Sequence, residues 1–373
     1  MTGVKYIGPV LDASGYAEAA RNYALAIYEQ GYPICVEPIS FEAARPDLGS
    51  QGELLDHLAT TEIDYDKVIL HSTPDTWMYY GQNERDKYRI GYTVWETTAL
   101  HPVWTQSCRL ADEVWVPSRW NKEVFAASGV EQPILVVPHA IDPPDLEAAP
   151  AALSLDLPTD AFVFYSIFHW QERKNPAGLL TAYWSAFCGR RDVVLLLKTY
   201  IPDRDEAAVL TAIEELRSRL RLPHYPEVVP VVAALSSEQM LALHRLGDCF
   251  VLLQRAEGWG LPHFEAAACG NPVITPRFGG QTDFLSDGSA YLVDYTLRPV
   301  TGMSWSPYYL GTQSWCEPDL AHAMRLMRHV VDHRDEAEKR GARARRYVSE
   351  HFTRQDLGRL IVDRLRQLDG AER

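Results

Sequence analysis

Residues 257–265 carry the side chains with the clearest potential for chemistry. Glu257 is followed by two glycines, Gly258 and Gly260, and Glu265 comes after seven intervening residues. Carboxylates accept hydrogen bonds from sugar hydroxyls. Glycines let backbone N–H groups approach a phosphate closely, and the N-terminus of a helix favours negative charge. The pattern therefore indicates a site for a polyhydroxylated ligand that bears phosphate.

A strand, a glycine loop and a short helix are expected to position these acids. The apolar run at 249–253 is typical of a buried strand. Small residues at 266–269 indicate a helix that stops at Gly270, and residues 272–274 indicate the next strand. One acid then lies on the loop and the other on the helix. The alternative is an ordinary crossover with solvated acids, which requires the acids, the glycines and Pro262 to coincide by accident.

The segment that holds these acids resembles the E-x7-E signature of retaining glycosyltransferases of family 4, within the glycosyl transferases group 1. The resemblance spans nearly the whole chain, is strongest over 249–288 and is weaker over 1–31 and 91–121. It implies an α/β architecture of the GT-B type, with two Rossmann-like domains facing across a cleft and a C-terminal helix that crosses back to the first domain. It also implies a nucleotide-sugar co-substrate and no separate cofactor.

The same resemblance implies roles for the residues of the acidic segment. Glu265 would accept hydrogen bonds from the ribose hydroxyls of a nucleotide. Glu257 would lie beside the transferred sugar and act in catalysis. The glycine loop that contains Gly258 would offer the backbone N–H groups of Gly260 and Leu261 to the sugar or the phosphate. A charge-assisted hydrogen bond contributes on the order of 1.5–3 kcal/mol, so loss of either acid is expected to cost roughly tenfold or more in donor use.

Basic residues in the first loop of the second half are expected to hold the diphosphate of the donor. Arg173 and Lys174 stand directly before a helix, where cations can neutralise a diphosphate. Lys174 matches a lysine of the family and is assigned to catalysis and donor binding, but the family's arginine position falls near His169. Two alternatives stay open for Arg173, which either replaces that arginine or faces solvent. Lys198 is either a further phosphate contact or an exposed lysine at a strand end.

Three further positions complete the expected site. The base of the nucleotide would rest near Val232, where the family reads it largely through the backbone. Gly15 matches the glycine of the family's opening loop, although it also suits a simple turn. Many family members carry a histidine after the strand that ends at Val94, but here Trp95, Glu96 and Thr97 follow. Glu96 is therefore the candidate to bind acceptor or donor hydroxyls in place of that histidine.

The length of the chain, 373 residues, allows two ordinary α/β domains with a sizeable core. Strand-loop-helix units alternate in both halves, and a proline-rich stretch at 141–150 separates them. We expect an acceptor-side Rossmann-like domain at 1–148 and a nucleotide-sugar donor domain at 149–352. The resemblance adds a helix at 353–373 that returns to the first domain. One large doubly wound domain is the alternative.

Charge and composition limit the classes of binding partner that the sequence suggests. Residues 1–148 hold 10 Lys and Arg against 22 Asp and Glu, a net charge of −12 out of −14 for the chain. An acidic first half disfavours nucleic acid and anionic lipid, and it is compatible with a neutral or cationic small-molecule or glycan acceptor. The alternative is that the charge serves solubility alone. No run of eighteen apolar residues occurs, so no transmembrane segment is expected. Six scattered cysteines without a C-x-x-C pair indicate free thiols and a cytoplasmic location.

The sequence therefore predicts an enzyme that transfers a hexose from a UDP- or GDP-linked sugar to an acceptor hydroxyl with retention of configuration. No cluster of His, Cys and Asp has the spacing of a zinc site, and no essential metal is expected. Three alternative functions remain open. The first is another enzyme on the same scaffold, such as a sugar phosphorylase or a nucleotide-sugar epimerase, and the second is a non-catalytic subunit that only binds the nucleotide sugar. The third is a Rossmann dehydrogenase, which requires a G-x-G-x-x-G motif that Gly8 and Gly15 do not supply.

Overall fold

The structure of the protein is a computed structural model that describes residues 2–41, 46–147, 151, 153, 155, 157–158, 160–201 and 204–369. It divides into two units. Unit 1 takes the chain up to Asp142 and again from Glu350, and unit 2 runs from Pro143 to Ser349. The domain boundary expected between residues 148 and 149 lies outside the described residues, as does the end of the returning segment beyond residue 369.

Unit 1 is built on a six-stranded parallel sheet whose strand order is β2-β1-β3-β4-β5-β6. Its strands are short apolar runs such as Val68-Ile69-Leu70, buried on both faces as parallel sheets require. Their bounds are β1 (Gly3–Gly8), β2 (Ile34–Pro38), β3 (Tyr65–His71), β4 (Tyr88–Tyr92), β5 (Glu113–Val116) and β6 (Ile134–Val136).

Helices connect most of these strands, because parallel neighbours need a crossover connection. Ser14 caps the first helix by accepting a hydrogen bond from the Ala17 N–H at 3.2 Å, and Ser118 caps the fifth through Asn121. The helices are α1 (Gly15–Glu29), α2 (Gly49–Thr60), α3 (Trp77–Tyr80), α4 (Pro102–Ser107) and α5 (Arg119–Ala127), with 3₁₀ turns at Pro74–Thr76 and Cys108–Leu110.

Unit 2 repeats the plan with a second six-stranded parallel sheet, ordered β12-β11-β10-β7-β8-β9, and a separate antiparallel pair, β13-β14. The central strands β7 and β8 are buried along most of their length, and Tyr200 at the end of β8 is exposed. The strands are β7 (Phe162–His169), β8 (Val193–Tyr200), β9 (Glu227–Val231), β10 (Cys249–Val251), β11 (Val273–Pro276), β12 (Tyr291–Val293), β13 (Tyr295–Pro299) and β14 (Ser314–Pro318).

The helices of unit 2 begin at well-defined caps. Asn175 adopts a left-handed conformation (φ 55°) and accepts a hydrogen bond from the Gly178 N–H, and Ser236 with Gln239 forms a capping box. The helices are α6 (Pro176–Ala186), α7 (Glu206–Leu220), α8 (Ser237–Leu246), α9 (Leu261–Cys269), α10 (Leu320–Asp332) and α11 (Arg334–His351), with 3₁₀ turns at Glu172–Lys174 and Gly280–Asp283.

The last helix, α12 (Arg354–Asp369), belongs to unit 1 and packs on α1. Leu357, Ile361 and Leu365 enter the same core cluster as the buried side chains of α1 and β1. The Arg364 Nε also donates to Glu113 Oε2 of β5 at 3.1 Å. The return of the C-terminal helix to the first unit, and the two Rossmann-like sheets, are therefore confirmed.

No helix among the described residues is long and apolar enough to cross a membrane. All six cysteines are free, and three of them, Cys108, Cys249 and Cys316, are buried.

Candidate functional site

The glycine loop of residues 257–260 leads from β10 into α9. Gly260 has φ 90°, a conformation that glycine adopts without strain, and it directly precedes Leu261, the first residue of the helix. Pro262 follows in the first turn, where its lack of an N–H costs nothing. The loop thus places Glu257 in the segment after the strand, and Glu265 on the helix, as the sequence predicted.

A second pair of glycines, Gly279 and Gly280, packs against the backbone of this loop. The Gly280 N–H donates to the Glu257 carbonyl at 2.9 Å. A Cβ at position 280 would lie 1.8 Å from the Gly258 carbonyl oxygen, and one at position 279 would lie 2.5 Å from the Glu257 carbonyl oxygen. Only glycines allow the two backbone segments to approach so closely, so the backbone of Glu257 is held in place.

The carboxylate of Glu257 is paired with both basic residues of the first loop of unit 2. Lys174 Nζ donates to Glu257 Oε1, and Arg173 Nη1 lies 3.4 Å from Glu257 Oε2. Glu257 is only 6% exposed. Burial opposes its charge, but Lys174, then Arg173 and His263, outweigh that effect and lower the pKa of Glu257 to about 2. The carboxylate is therefore ionised at neutral pH.

Backbone contacts hold the basic turn against the glycine loop. The Arg255 N–H donates to the Arg173 carbonyl at 2.7 Å, and the Asn175 side-chain amide donates to the Leu253 carbonyl at 2.9 Å. The Arg173 guanidinium also donates to the Ala256 carbonyl at 3.0 Å. Of the two alternatives left open for Arg173, the described contacts favour a role beside Glu257 over a side chain that faces solvent.

Glu265 lies on the half-buried face of α9 beside His244 of α8. His244 Nε2 is 3.3 Å from Glu265 Oε2, and His244 Nδ1 is 2.9 Å from the Tyr165 hydroxyl. The Asn271 amide donates to the Tyr165 hydroxyl and to the His244 carbonyl, both at 2.6 Å. The hydrogen bond from Tyr165 of β7 to His244 Nδ1 thus orients the Nε2 atom of the imidazole toward Glu265. The sequence does not predict the contact between His244 and Glu265, because that contact depends on how α8 and α9 pack together.

A buried polar network lies beneath the glycine loop. His263 Nε2 is 3.3 Å from Gln254 Oε1, and the Gln254 amide donates to the Thr275 hydroxyl at 3.0 Å. Burial, followed by the opposing influence of Glu257, sets the pKa of His263 at about 4, so the imidazole is neutral near pH 7. The Gln281 amide donates to the carbonyls of Pro276 and Phe278. These contacts support the glycine loop from the core side.

Lys198, the third expected cation, lies near the end of β8, on the strand next to β7. Its Nζ is 6.0 Å from the centroid of the Tyr200 ring, and burial lowers its pKa. Tyr200 in turn stacks on His169 with ring centroids 5.0 Å apart. Burial, with Arg173 and Lys174 adding to it, lowers the pKa of His169 to about 4. A neutral imidazole and a tyrosine ring therefore occupy the place where the family's arginine was expected.

The position expected beside the base, Val232, directly follows β9 and is half-buried. Its neighbour Val231 is the register partner of Lys198 in β8. Val232 and Lys198 thus share the carboxyl edge of the unit 2 sheet, where open α/β sheets bind ligands.

The two remaining candidates belong to unit 1. Gly15 is the first residue of α1, next to the Ser14 cap. Glu96 lies in the loop after β4, near enough to Tyr16 to add to the effect of burial, which raises the pKa of that phenol. Trp95 is a core residue whose indole N–H donates to Thr97 and to the Ala99 carbonyl.

Unit 1 also carries a buried cluster of rings that the sequence did not predict. His71 stands at the end of β3, where its Nδ1 lies 2.5 Å from the Tyr6 hydroxyl and its ring lies 4.1 Å from that of Tyr92. Burial lowers the pKa of His71 well below its usual value. The residues come from neighbouring parallel strands, and only the sheet order brings them together.

Among the described residues, no group of three or more His, Cys, Asp or Glu side chains is arranged to hold a metal ion. The charged groups that could bind a ligand at the glycine loop are Lys174, Arg173, Glu257 and Glu265. They suit a ligand that combines anionic oxygens with hydroxyl groups.

Comparisons with known proteins agree with this arrangement. Residues 214–297 match the family model described as glycosyl transferases group 1, a stretch that contains the glycine loop and α9. Among curated proteins, the chain is 30% identical over 183 residues to "D-inositol 3-phosphate glycosyltransferase 2" of Catenulispora acidiphila. It is 27% identical over 128 residues to "GDP-mannose-dependent alpha-(1-6)-phosphatidylinositol monomannoside mannosyltransferase" of Mycolicibacterium smegmatis.

These sequence matches are partial. The first covers 46% of this chain and 42% of the relative, and the second covers 27% of this chain and 34% of the relative. The chain thus matches less than half of the length of either curated protein.

Solved structures extend the likeness to the whole chain. Sucrose-phosphate synthase from Thermosynechococcus elongatus superimposes with a TM-score of 0.69 at 17% identity and covers 100% of both chains. Anabaena HepE in complex with UDP-glucose gives a TM-score of 0.65 at 14% identity, over 98% of this chain and 100% of that one. Identities this low show the fold alone. The chain has the GT-B fold, and its residues 214–297 match the glycosyl transferases group 1 family, which agrees with the resemblance found in the sequence.

Proposed function

We propose that the chain is a glycosyltransferase that moves a hexose from a UDP- or GDP-linked sugar to an acceptor hydroxyl with retention of configuration. The observation that carries the proposal is the buried group of Lys174, Arg173 and Glu257 against the glycine loop. It combines two cations for a diphosphate with one carboxylate for sugar hydroxyls. The curated relatives are named for glycosyl and mannosyl transfer, and HepE was solved with UDP-glucose, which supports a nucleotide sugar as donor.

In this proposal the residues around the glycine loop have separate tasks. Lys174 and Arg173 stabilise the negative charge that grows on the departing diphosphate, so the step requires no metal. Backbone N–H groups of Gly260 and Leu261, in the loop that contains Gly258, approach the phosphate or the sugar. By analogy with the family, the acceptor attacks the face from which the diphosphate leaves, and a phosphate oxygen takes the acceptor proton.

The nucleoside half of the donor is assigned to residues along the edge of unit 2. Glu265, oriented by His244, accepts hydrogen bonds from the ribose, and the base lies near Val232. Lys198 is assigned to the phosphates. In unit 1, Gly15 and Glu96 are assigned to the donor phosphate and to hydroxyls of the ligand. The acidic charge of that half is compatible with a neutral or cationic acceptor. The cytoplasmic location expected from the sequence stays a prediction.

A thermal-shift screen against UDP, GDP and ADP, and then UDP-glucose, GDP-mannose and ADP-glucose, tests the donor assignment. A ligand that binds the folded state at one hundred times its Kd stabilises it by about 2.7 kcal/mol. We expect one base to raise the Tm and its sugar to do so as well. If none of the six ligands stabilises the protein, the donor site is wrongly assigned. Release of nucleoside diphosphate with a sugar acceptor then separates a transferase from a binding subunit.

The ribose role of Glu265 has its own test. We expect Glu265→Gln to weaken the stabilising nucleoside diphosphate and its nucleotide sugar alike, by roughly tenfold, because each loses the same charge-assisted hydrogen bonds. Glu215→Gln, at an exposed position on α7, is the matched control and should bind like the wild type. Isothermal titration gives both Kd values. Unchanged binding by Glu265→Gln would refute the ribose contact.

A further inference from the structure

The pairing of Glu257 with Lys174 and Arg173 has a consequence for which ligands the site accepts. The two cations proposed for the diphosphate already share a carboxylate between them. All three side chains are almost entirely buried, with Arg173 at 11% exposure and Lys174 at 10%. Charges in such surroundings interact more strongly than on a surface. A diphosphate at these cations therefore meets the negative charge of Glu257 at short range.

Glu257 cannot easily be moved out of the way. Its carbonyl accepts the Gly280 N–H at 2.9 Å, and position 279 has no room for a Cβ beside that carbonyl. The neighbouring Ala256 carbonyl accepts a hydrogen bond from Arg173 at 3.0 Å. The backbone on both sides of the carboxylate is thus tied down, and only side-chain rotation is available. A bound ligand has to accommodate the charge of Glu257 at this place.

A sugar attached to the diphosphate supplies what the carboxylate then needs. Hydroxyl groups donate hydrogen bonds, and an ionised carboxylate can accept several of them. A free nucleoside diphosphate has no such donors at that end, so it competes for the two cations and is repelled by the carboxylate without compensation. Specificity of this kind arises from a group that penalises the wrong ligand as much as it attracts the right one.

We propose that Glu257 is the residue that makes the site discriminate a nucleotide sugar from the free nucleoside diphosphate. The proposal rests on the donor site proposed above and adds a selectivity to it. Because the free diphosphate is the product of sugar transfer, the same discrimination promotes product release.

The test compares two Kd values in matched variants. The ligand pair is the one that stabilises the wild type among UDP with UDP-glucose, GDP with GDP-mannose and ADP with ADP-glucose, and inorganic pyrophosphate is a third probe. In Glu257→Gln, which keeps the shape and removes the charge, we expect free diphosphate and pyrophosphate to bind about tenfold more tightly. The nucleotide sugar should bind no more tightly than to the wild type. The Kd of the free diphosphate divided by the Kd of the nucleotide sugar then falls at least tenfold.

Two further variants keep the outcome decisive. Glu265→Gln should weaken both nucleotides by the same factor and leave their ratio unchanged. Glu257→Asp keeps the charge but withdraws it from the sugar. Binding of the nucleotide sugar should therefore weaken until its Kd equals that of the free diphosphate. The Kd of the free diphosphate should change less than threefold from the wild-type value. This second substitution decides the matter if Glu257→Gln does not fold.

The failures of the two proposals are distinguishable. If the wild type binds both nucleotides and neither substitution at Glu257 changes their ratio, the discrimination is overturned and the donor site stands. If the wild type binds none of the nucleotides, the donor site itself is overturned and this inference with it.

Discussion

At the scale of single residues, Glu257 stays ionised although it is almost completely buried. An isolated carboxylate in such a place would take up a proton, because burial disfavours the charged form. Lys174 and Arg173 reverse that outcome and bring the pKa of Glu257 to about 2, below its usual value of 4.5. A difference in pKa between folded and unfolded chains is also a contribution to stability that depends on pH.

The acid dependence of stability should therefore reveal the ion pair. Because the folded pKa of Glu257 lies below the unfolded one, its contribution is complete above pH 4.5 and is lost as the pH falls toward 2. We expect the difference in unfolding free energy between the wild type and Glu257→Gln to change by about 2 kcal/mol between pH 5 and pH 3, with the wild type losing more. Urea denaturation at several pH values measures it.

Lys174→Met provides the check on the cause. This substitution removes the cation that lowers the pKa of Glu257, so the variant should also lose stability less steeply than the wild type over the same range. If both variants follow the wild-type slope, the Lys174–Glu257 pair does not exist in solution.

At the scale of elements, two glycine segments from different loops define the backbone of the site. Residues 257–260 enter α9, and residues 279–280 enter a 3₁₀ turn, yet their backbones touch. The approach is possible because Gly279 and Gly280 have no side chains at the contact. Gly279 and Gly280 thus shape the site by backbone packing.

Adding one methyl group at this contact should be severe. A Cβ at position 280 would lie 1.8 Å from the Gly258 carbonyl oxygen and 2.9 Å from the Trp259 Cα, both of them backbone atoms. We expect Gly280→Ala to lower the free energy of unfolding by about 1–3 kcal/mol, as overpacking does, and to abolish nucleotide binding. Gly288→Ala is the control, because the nearest atom to its Cβ is 3.7 Å away. Equal stability of the two variants would contradict the close approach.

Local patterns were sufficient to predict the elements of the site but not every partner. The apolar run before Glu257, the glycines and Pro262 predicted strand, loop and helix, because each acts on its own neighbours in the chain. Which way Arg173 points depends on the Ala256 carbonyl, some eighty positions away. His244 beside Glu265 and Tyr6 beside His71 depend on helix packing and on the order of parallel strands. Nothing in short-range spacing encodes those relations.

At the scale of the whole molecule, unit 1 is assembled from two separate stretches of chain. Residues up to Asp142 form its sheet and first helices, and α12 completes its core after the chain has passed through unit 2. The contact between α12 and α1 is close at Gly358, where a Cβ would lie 2.5 Å from the Ala26 carbonyl oxygen. The helix pair depends on that glycine for its spacing.

The effect of filling this position has a diagnostic sign. In an exposed helix interior, Gly→Ala stabilises by roughly 1 kcal/mol. Here the clash with Ala26 should reverse the sign, so we expect Gly358→Ala to destabilise unit 1 by about 1–3 kcal/mol. Hydrogen exchange should speed up in α1 and stay unchanged in β7 and β8. Asp363→Ala, at an exposed position of the same helix, is the control. A stabilised Gly358→Ala variant would show that α12 does not lie against α1.

The late position of α12 in the chain also sets an order of events during synthesis. A ribosome releases the sheet of unit 1 first, then all of unit 2, and only afterwards Leu357, Ile361 and Leu365, which close the core of unit 1. Until then, the surface of α1 that will receive them is open to water and to other apolar chains. Unit 2 can complete its fold before unit 1 does, because its last residue, Ser349, precedes α12 in the chain. The nascent unit 1 therefore has an incomplete core until α12 has been synthesised.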